Sequence, residues 1–118
     1  MNLDEQSRQE ATKQVVETAK NIIAGSLSVI EGSRLLAGLR FKVCDDSFDS
    51  DFLRFVAIDS ETDHLPIGRE REHWGADALA KKDKEIKAAE EIYGEDVLAA
   101  CRKLIQRFGG AGHAANAD

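Results

Sequence analysis

The sequence predicts an all-α fold, a small bundle of three shorter helices packed on one long C-terminal helix. Two observations lead there. Apolar residues recur at threes and fours, with charged residues between them, on both sides of a single polar stretch that holds the only Pro, the only Trp and two of the three His. The one segment of strand-like composition, Phe52-Leu53-Arg54-Phe55-Val56-Ala57-Ile58, has no second segment to pair with.

From Leu3 to Ala24 the positions Leu3, Ala11, Val15, Val16, Ala19, Ile22 and Ile23 form the apolar stripe of a first helix. Gly25 offers a left-handed residue to end it, and Ser28 followed by Glu31 reads as a capping box opening the next. The second helix is expected from about Ser28 to Lys42, burying Val29, Ile30, Leu35, Leu36 and Leu39, with Phe41 and Val43 near its end. Gly32 and Gly38 each cost it about 1 kcal/mol relative to Ala, which predicts another helix packed closely against them. Asp49 or Ser50 can cap a third helix whose stripe is Phe48, Phe52, Phe55, Val56 and Leu53. Pro66 pushes Leu65 toward extended geometry, so that helix ends near Asp63 or His64, and Leu65-Pro66-Ile67-Gly68 fits a type I turn. The last stripe is Leu79, Ile86, Ala89, Tyr93, Val97, Ala100, Leu104 and Phe108. Its phase runs through Gly94 without a slip, so a single helix from about Ala76 to Phe108, roughly 50 Å long, is expected.

At 118 residues, 42% hydrophobic and 32% charged, the chain has the size and composition of one soluble globular domain, expected over residues 1–108. The Gly/Ala-rich tail at 109–118 is expected to be disordered, His113 with it. No apolar run approaches the roughly 18 residues of a membrane span, the N-terminus lacks the pattern of a signal peptide, and Cys44 and Cys101 form no closely spaced framework. A cytoplasmic protein without a membrane partner is the expectation.

The net charge of −6 is localised. Between Asp45 and Asp63 stand seven acids (Asp45, Asp46, Asp49, Asp51, Asp59, Glu61, Asp63) against one base, Arg54, and the rest of the chain balances. Such a segment repels phosphates and attracts a basic protein surface or a cation, so no nucleic-acid partner is expected. Glu61-x-x-His64 and Glu70-x-x-His73 repeat a spacing that puts two ligands on one helix face, but an offset of only nine residues, with Pro66 and Gly68 between, keeps the copies off two facing helices, unlike di-iron bundles. A mononuclear divalent-metal site from Asp59, Asp63, His64 and His73 is the simpler alternative, with Glu61 or Glu70 as general base. The acids from Asp59 to Glu70 also imitate a calcium loop, but His64 stands where that loop needs Gly. Glu31, Arg34, Asp59, Asp63, Arg69 and Arg71 can form a hydrogen-bonded network at the turn, with Trp74 shielding it and its indole N–H bonded to a carbonyl. No nucleophile stands with its base, and no Gly-rich phosphate loop follows a strand.

The strings Val29-Ile30-Glu31-Gly32-Ser33-Arg34-Leu35-Leu36 and Ile58-Asp59-Ser60-Glu61-Thr62-Asp63-His64-Leu65-Pro66-Ile67-Gly68, with Trp74 and Ala99-Ala100-Cys101-Arg102-Lys103-Leu104, resemble segments of small uncharacterised bacterial proteins. That resemblance implies a bacterial cytosolic protein and carries no activity with it.

Three functions follow in order. The first is a non-catalytic interaction module without a cofactor, docking on a basic protein surface through Asp45, Asp46, Asp49 and Asp51, with Glu31, Arg34, Arg69, Arg71 and Trp74 beside it. The second is the metal-dependent enzyme just described. The third is a self-associating structural protein, a homo-oligomer joined through the long C-terminal helix.

Overall fold

Four α-helices arise where the apolar phase is strongest: α1 (Leu3–Ala24), α2 (Val29–Val43), α3 (Ser50–Thr62) and α4 (Ala76–Leu104). They belong to a computed structural model that describes residues 3–46 and 48–109; beyond Gly109 the tail expected to be disordered lies outside the described residues. There is no strand among those residues, so the all-α expectation holds. A 3-10 helix (Gly68–His73) precedes α4, and a π-helical turn (Ile105–Gly109) extends it. No described helix is long and apolar enough to cross a membrane.

The helix boundaries follow local chemistry. Gly25 ends α1 at φ 82°, Ser28 Oγ accepts the Glu31 N–H (3.1 Å) to open α2, and Asp49 accepts the Asp51 N–H (3.0 Å) to open α3. Gly75 starts α4 without a side-chain cap. Gly94 stays within α4 at ordinary helical φ, so the helix is continuous there.

α1 packs along α2 and α2 along α3, while α4 lies against all three. The main core joins Ala11, Val15, Ala19 and Ile22 of α1, Leu36, Ala37 and Val43 of α2, Phe52, Phe55 and Ile58 of α3, and Val97, Cys101 and Leu104 of α4. Phe108 on the π-helical turn closes it against Phe52, with ring centroids 6.0 Å apart. A second, smaller cluster joins Ile30, Leu65 and Ala89, which seats the Pro66 turn on α4. No residue of α4 before Ala89 is buried.

Several expected core positions are surface instead. Leu35, Phe41, Phe48, Leu53 and Ile23 are exposed; for Leu35 and Phe41 the reason is that the buried side of α2 is drawn by small residues that admit close neighbours: Gly32, Ser33 and Ala37. A Cβ at Gly32 would overlap the Ile22 side chain, so close approach holds there. It does not hold at Gly38, where a Cβ would meet nothing within 4 Å. The type I turn at Leu65–Gly68 is also not formed. Ile67 is extended (φ −125°, ψ 146°), and the chain turns three residues earlier, where the Leu65 N–H reaches the Thr62 carbonyl (3.0 Å). Gly68 then takes φ 61° to enter the 3-10 helix.

Candidate docking surface

The fold brings bases from distant parts of the chain onto the acidic segment. Arg8 of α1 bonds Asp45 (2.8 Å), and Arg107 on the π-helical turn bonds both Asp49 (2.8 Å) and Asp51 (2.9 Å) at the start of α3. The Arg107 guanidinium holds the Asp49 carboxyl below its usual range and is itself raised by that carboxylate. Cys44 stands beside them, with Sγ 3.6 Å from Asp49 Oδ2 and 3.5 Å from Arg107 Nη2, and burial followed by the Asp49 charge pushes its thiol up. Arg34 lies 3.7 Å from Asp59, and Glu61 accepts the Tyr93 hydroxyl. Asp46 and Asp63 pair with no base among the described residues.

Asp46 instead accepts the backbone N–H of Phe48 (2.9 Å). This end of the bundle carries the two most exposed phenylalanines of the described chain, Phe41 at 63% and Phe48 at 76%. The Arg40 guanidinium stacks over the Phe41 ring, 3.8 Å from its centroid. Exposed Asp45 and Asp46 lie between them in sequence. Sequence reasoning placed both phenylalanines in the core. The available signal was the uninterrupted polar run around Phe48, which leaves no helical phase to bury it.

The network expected at the turn is centred on Arg34. Its guanidinium donates to the carbonyls of Thr62 and Leu65 (2.9 Å to the latter) and pairs with Glu70 (3.3 Å) as well as Asp59. A cation at the C-terminal end of α3 satisfies carbonyls the helix leaves unpaired and suits its dipole. Arg34 is therefore a structural cap. Arg71 joins a different partner, a two-pronged pair with Asp83 on α4 (2.7 and 3.1 Å) that lowers the Asp83 carboxyl. The side chains of Glu31, Asp63 and Arg69 make no hydrogen bond or ion pair among the described residues. Trp74 is 37% exposed and its indole N–H finds no carbonyl there, because the chain is leaving the bundle at that point to begin α4.

The candidate metal ligands are dispersed. Asp59 faces Arg34, and His64 Nε2 lies 2.9 Å from Glu85 on α4, whose carboxyl is lowered by that contact and by Lys82. Asp63 and His73 are exposed without such partners. Among the described residues no three His, Cys, Asp or Glu side chains come together to hold a metal ion. A cavity of about 730 Å³ lies elsewhere, between the first half of α1 and the π-helical turn, walled by Val16, Phe108 and the stems of Arg8 and Lys13. None of the candidate docking or metal residues lines it. No family model, no curated protein and no solved structure matches the chain.

Proposed function

We propose that the protein is a non-catalytic interaction module that docks on a basic protein surface through the end of the bundle at the α2–α3 connection. Phe41 and Phe48 are its apolar contacts, and Asp45 and Asp46 give it a charge preference. The observation that supports this most is the exposure of the two phenylalanines beside unburied acids. Covering a phenylalanine is worth about 1.5–3 kcal/mol, and aromatic side chains of this kind carry much of the energy of protein interfaces. The acids act chiefly on encounter, drawing a basic partner in and raising its association rate. Asp49 and Asp51 hold Arg107 and are mostly covered, at 16% and 28% exposure, so they leave the docking set, whereas Asp45 stays 94% exposed in its pair with Arg8 and remains in it.

The experiment is site-specific photo-crosslinking in the source cell, with the reactive side chain at position 48 and, as control, at exposed Lys20 on α1. A partner captured at 48 should be linked through a basic surface. Its affinity should fall about 30-fold, the equivalent of 2 kcal/mol, on Phe41→Ala with Phe48→Ala. Asp45→Asn with Asp46→Asn should slow association and flatten its salt dependence. Equal capture at positions 20 and 48, or indifference to both double variants, would remove the reading.

A further inference from the structure

We propose that two copies of this chain associate through the outward faces of α4, packed antiparallel about a two-fold axis at the helix midpoint. α4 runs from residue 76 to residue 104, so its midpoint is residue 90. The face turned away from the core carries Asp77, Lys84, Ala88, Ile92, Glu95 and Arg102, all exposed, with Ile92 at 70%. Their helical spacing keeps them on one side, opposite buried Val97, Cys101 and Leu104.

Read backwards, that face is its own complement. Asp77 and Arg102 are centred half a residue before residue 90, as are Lys84 and Glu95, and Ala88 and Ile92 are centred on it, an offset of about 0.75 Å along the helix. An antiparallel second copy centred there therefore sets Asp77 against Arg102, Lys84 against Glu95 and Ile92 against a small alanine at the seam, while exposed Lys81 and Glu91 on the flanks of the same face meet no opposite charge. Parallel pairing would set every charge against itself, which is destabilising. A surface that matches itself under reversal is what a two-fold, isologous contact requires. None of Asp77, Lys84, Glu95 and Arg102 makes a hydrogen bond or ion pair within the described chain. Of the other acids on α4, Asp83 is engaged by Arg71, Glu85 by His64 and Asp96 by Arg54, while Glu90 and Glu91 are unpaired among the described residues. The four charges that the reversal pairs are thus all open to a second copy.

A helix of this length, about 43 Å, offers a strip that buries on the order of 400 Å² per copy, below the range of stable specific interfaces and within that of transient ones. The dimer is accordingly weak, concentration-dependent and salt-sensitive. It uses none of Phe41, Asp45, Asp46 and Phe48, so it stands or falls separately from the docking surface at the bundle end.

Sedimentation equilibrium up to about 1 mM protein, where the standard free energy of a detectable complex is about −4 kcal/mol, tests it with three proteins. One is the wild type, the second is Lys84→Glu with Arg102→Glu, and the third is Asp77→Lys with Glu95→Lys. The wild type should approach twice the monomer mass, less so at high salt. Each variant alone faces like with like and should associate at least 10-fold more weakly, whereas an equimolar mixture of the two should recover the dimer. These exposed side chains have no partner to lose within the chain, so circular dichroism should show all three folded, and Ile92→Asp gives an independent disruption of the seam. A monomeric wild type at the highest concentration, variants that dimerise as well as it does, or a mixture that stays monomeric would each overturn the proposal.

Discussion

Alanine at Gly32, Gly38 and Gly94 separates glycines that admit a neighbour from glycines that merely interrupt a helix. All three lie inside helices at ordinary φ, so alanine gains about 1 kcal/mol of helix propensity at each. At Gly38 and Gly94 nothing lies within 4 Å of the added methyl, and a net gain of about 0.5–1 kcal/mol is expected. At Gly32 the methyl would overlap Ile22 and meet Leu27 Cδ2 at 3.4 Å. Ile22 is 4% exposed and branched at Cβ, so it has little room to turn away. Overpacking of this kind costs about 1–3 kcal/mol, which leaves Gly32→Ala a net loss of about 1 kcal/mol. The two outcomes differ by about 2 kcal/mol, or about 8 °C in melting temperature for a chain of this size. Urea unfolding followed by circular dichroism measures the difference. Gly32→Ala as stable as Gly94→Ala would refute the close approach of α1 and α2, and a loss of about 1 kcal/mol at Gly94→Ala would refute an unbroken α4.

Leu36→Ala should cost about 2–5 kcal/mol while its neighbour Leu35→Ala, 48% exposed, costs under about 0.5 kcal/mol; comparable losses in chemical unfolding would contradict the assigned face of α2. Arg107→Ala removes the partner of two carboxylates at the start of α3 and should cost about 1–2 kcal/mol at neutral pH. Arg107 lowers the folded Asp49 pKa from 3.8, so folding favours the ionised form: that contribution is complete above pH 3.8 and disappears as the pH falls through the lower folded value. The gap between wild type and variant should therefore narrow in acid, and a gap independent of pH would exclude the pair as its origin. Iodoacetamide labelling read by mass spectrometry should modify half-buried Cys44 in the native protein. Cys101, fully buried with its thiol pushed up to about 11, should react only on unfolding.

α4 was legible from sequence because its neighbours lie on one side, so a single apolar phase from Ile86 to Phe108 records them. α2 was not. It packs through Gly32, Ser33 and Ala37, residues with little hydrophobic signal, while Leu35 and Phe41 announce burial and do not receive it. The charge imbalance was correctly located, but which acids stay free depends on Arg8 and Arg107, which come from opposite ends of the chain and leave no local mark. The same holds for Arg34, whose cap on α3 joins residues 28 and 31 positions apart. The candidate metal ligands were close in sequence, yet the helix end at Thr62 and the 3-10 helix turn them to different partners.

α4 is continuous as a backbone and divided in what holds it. From Val97 onward it shares the main core, whereas residues 76–88 rest on the small cluster around Leu65 and on exposed pairs such as Arg71–Asp83 and His64–Glu85. Exposed pairs contribute little, so the front of the helix can open without disturbing the phenylalanines of α3. In amide hydrogen exchange its protons should leave through this partial opening, early and nearly together with those of the 3-10 helix. Protons near Val97 and Cys101 should wait for the whole molecule to unfold. One uninterrupted helix then spans two levels of protection, with the step between them near Ala89.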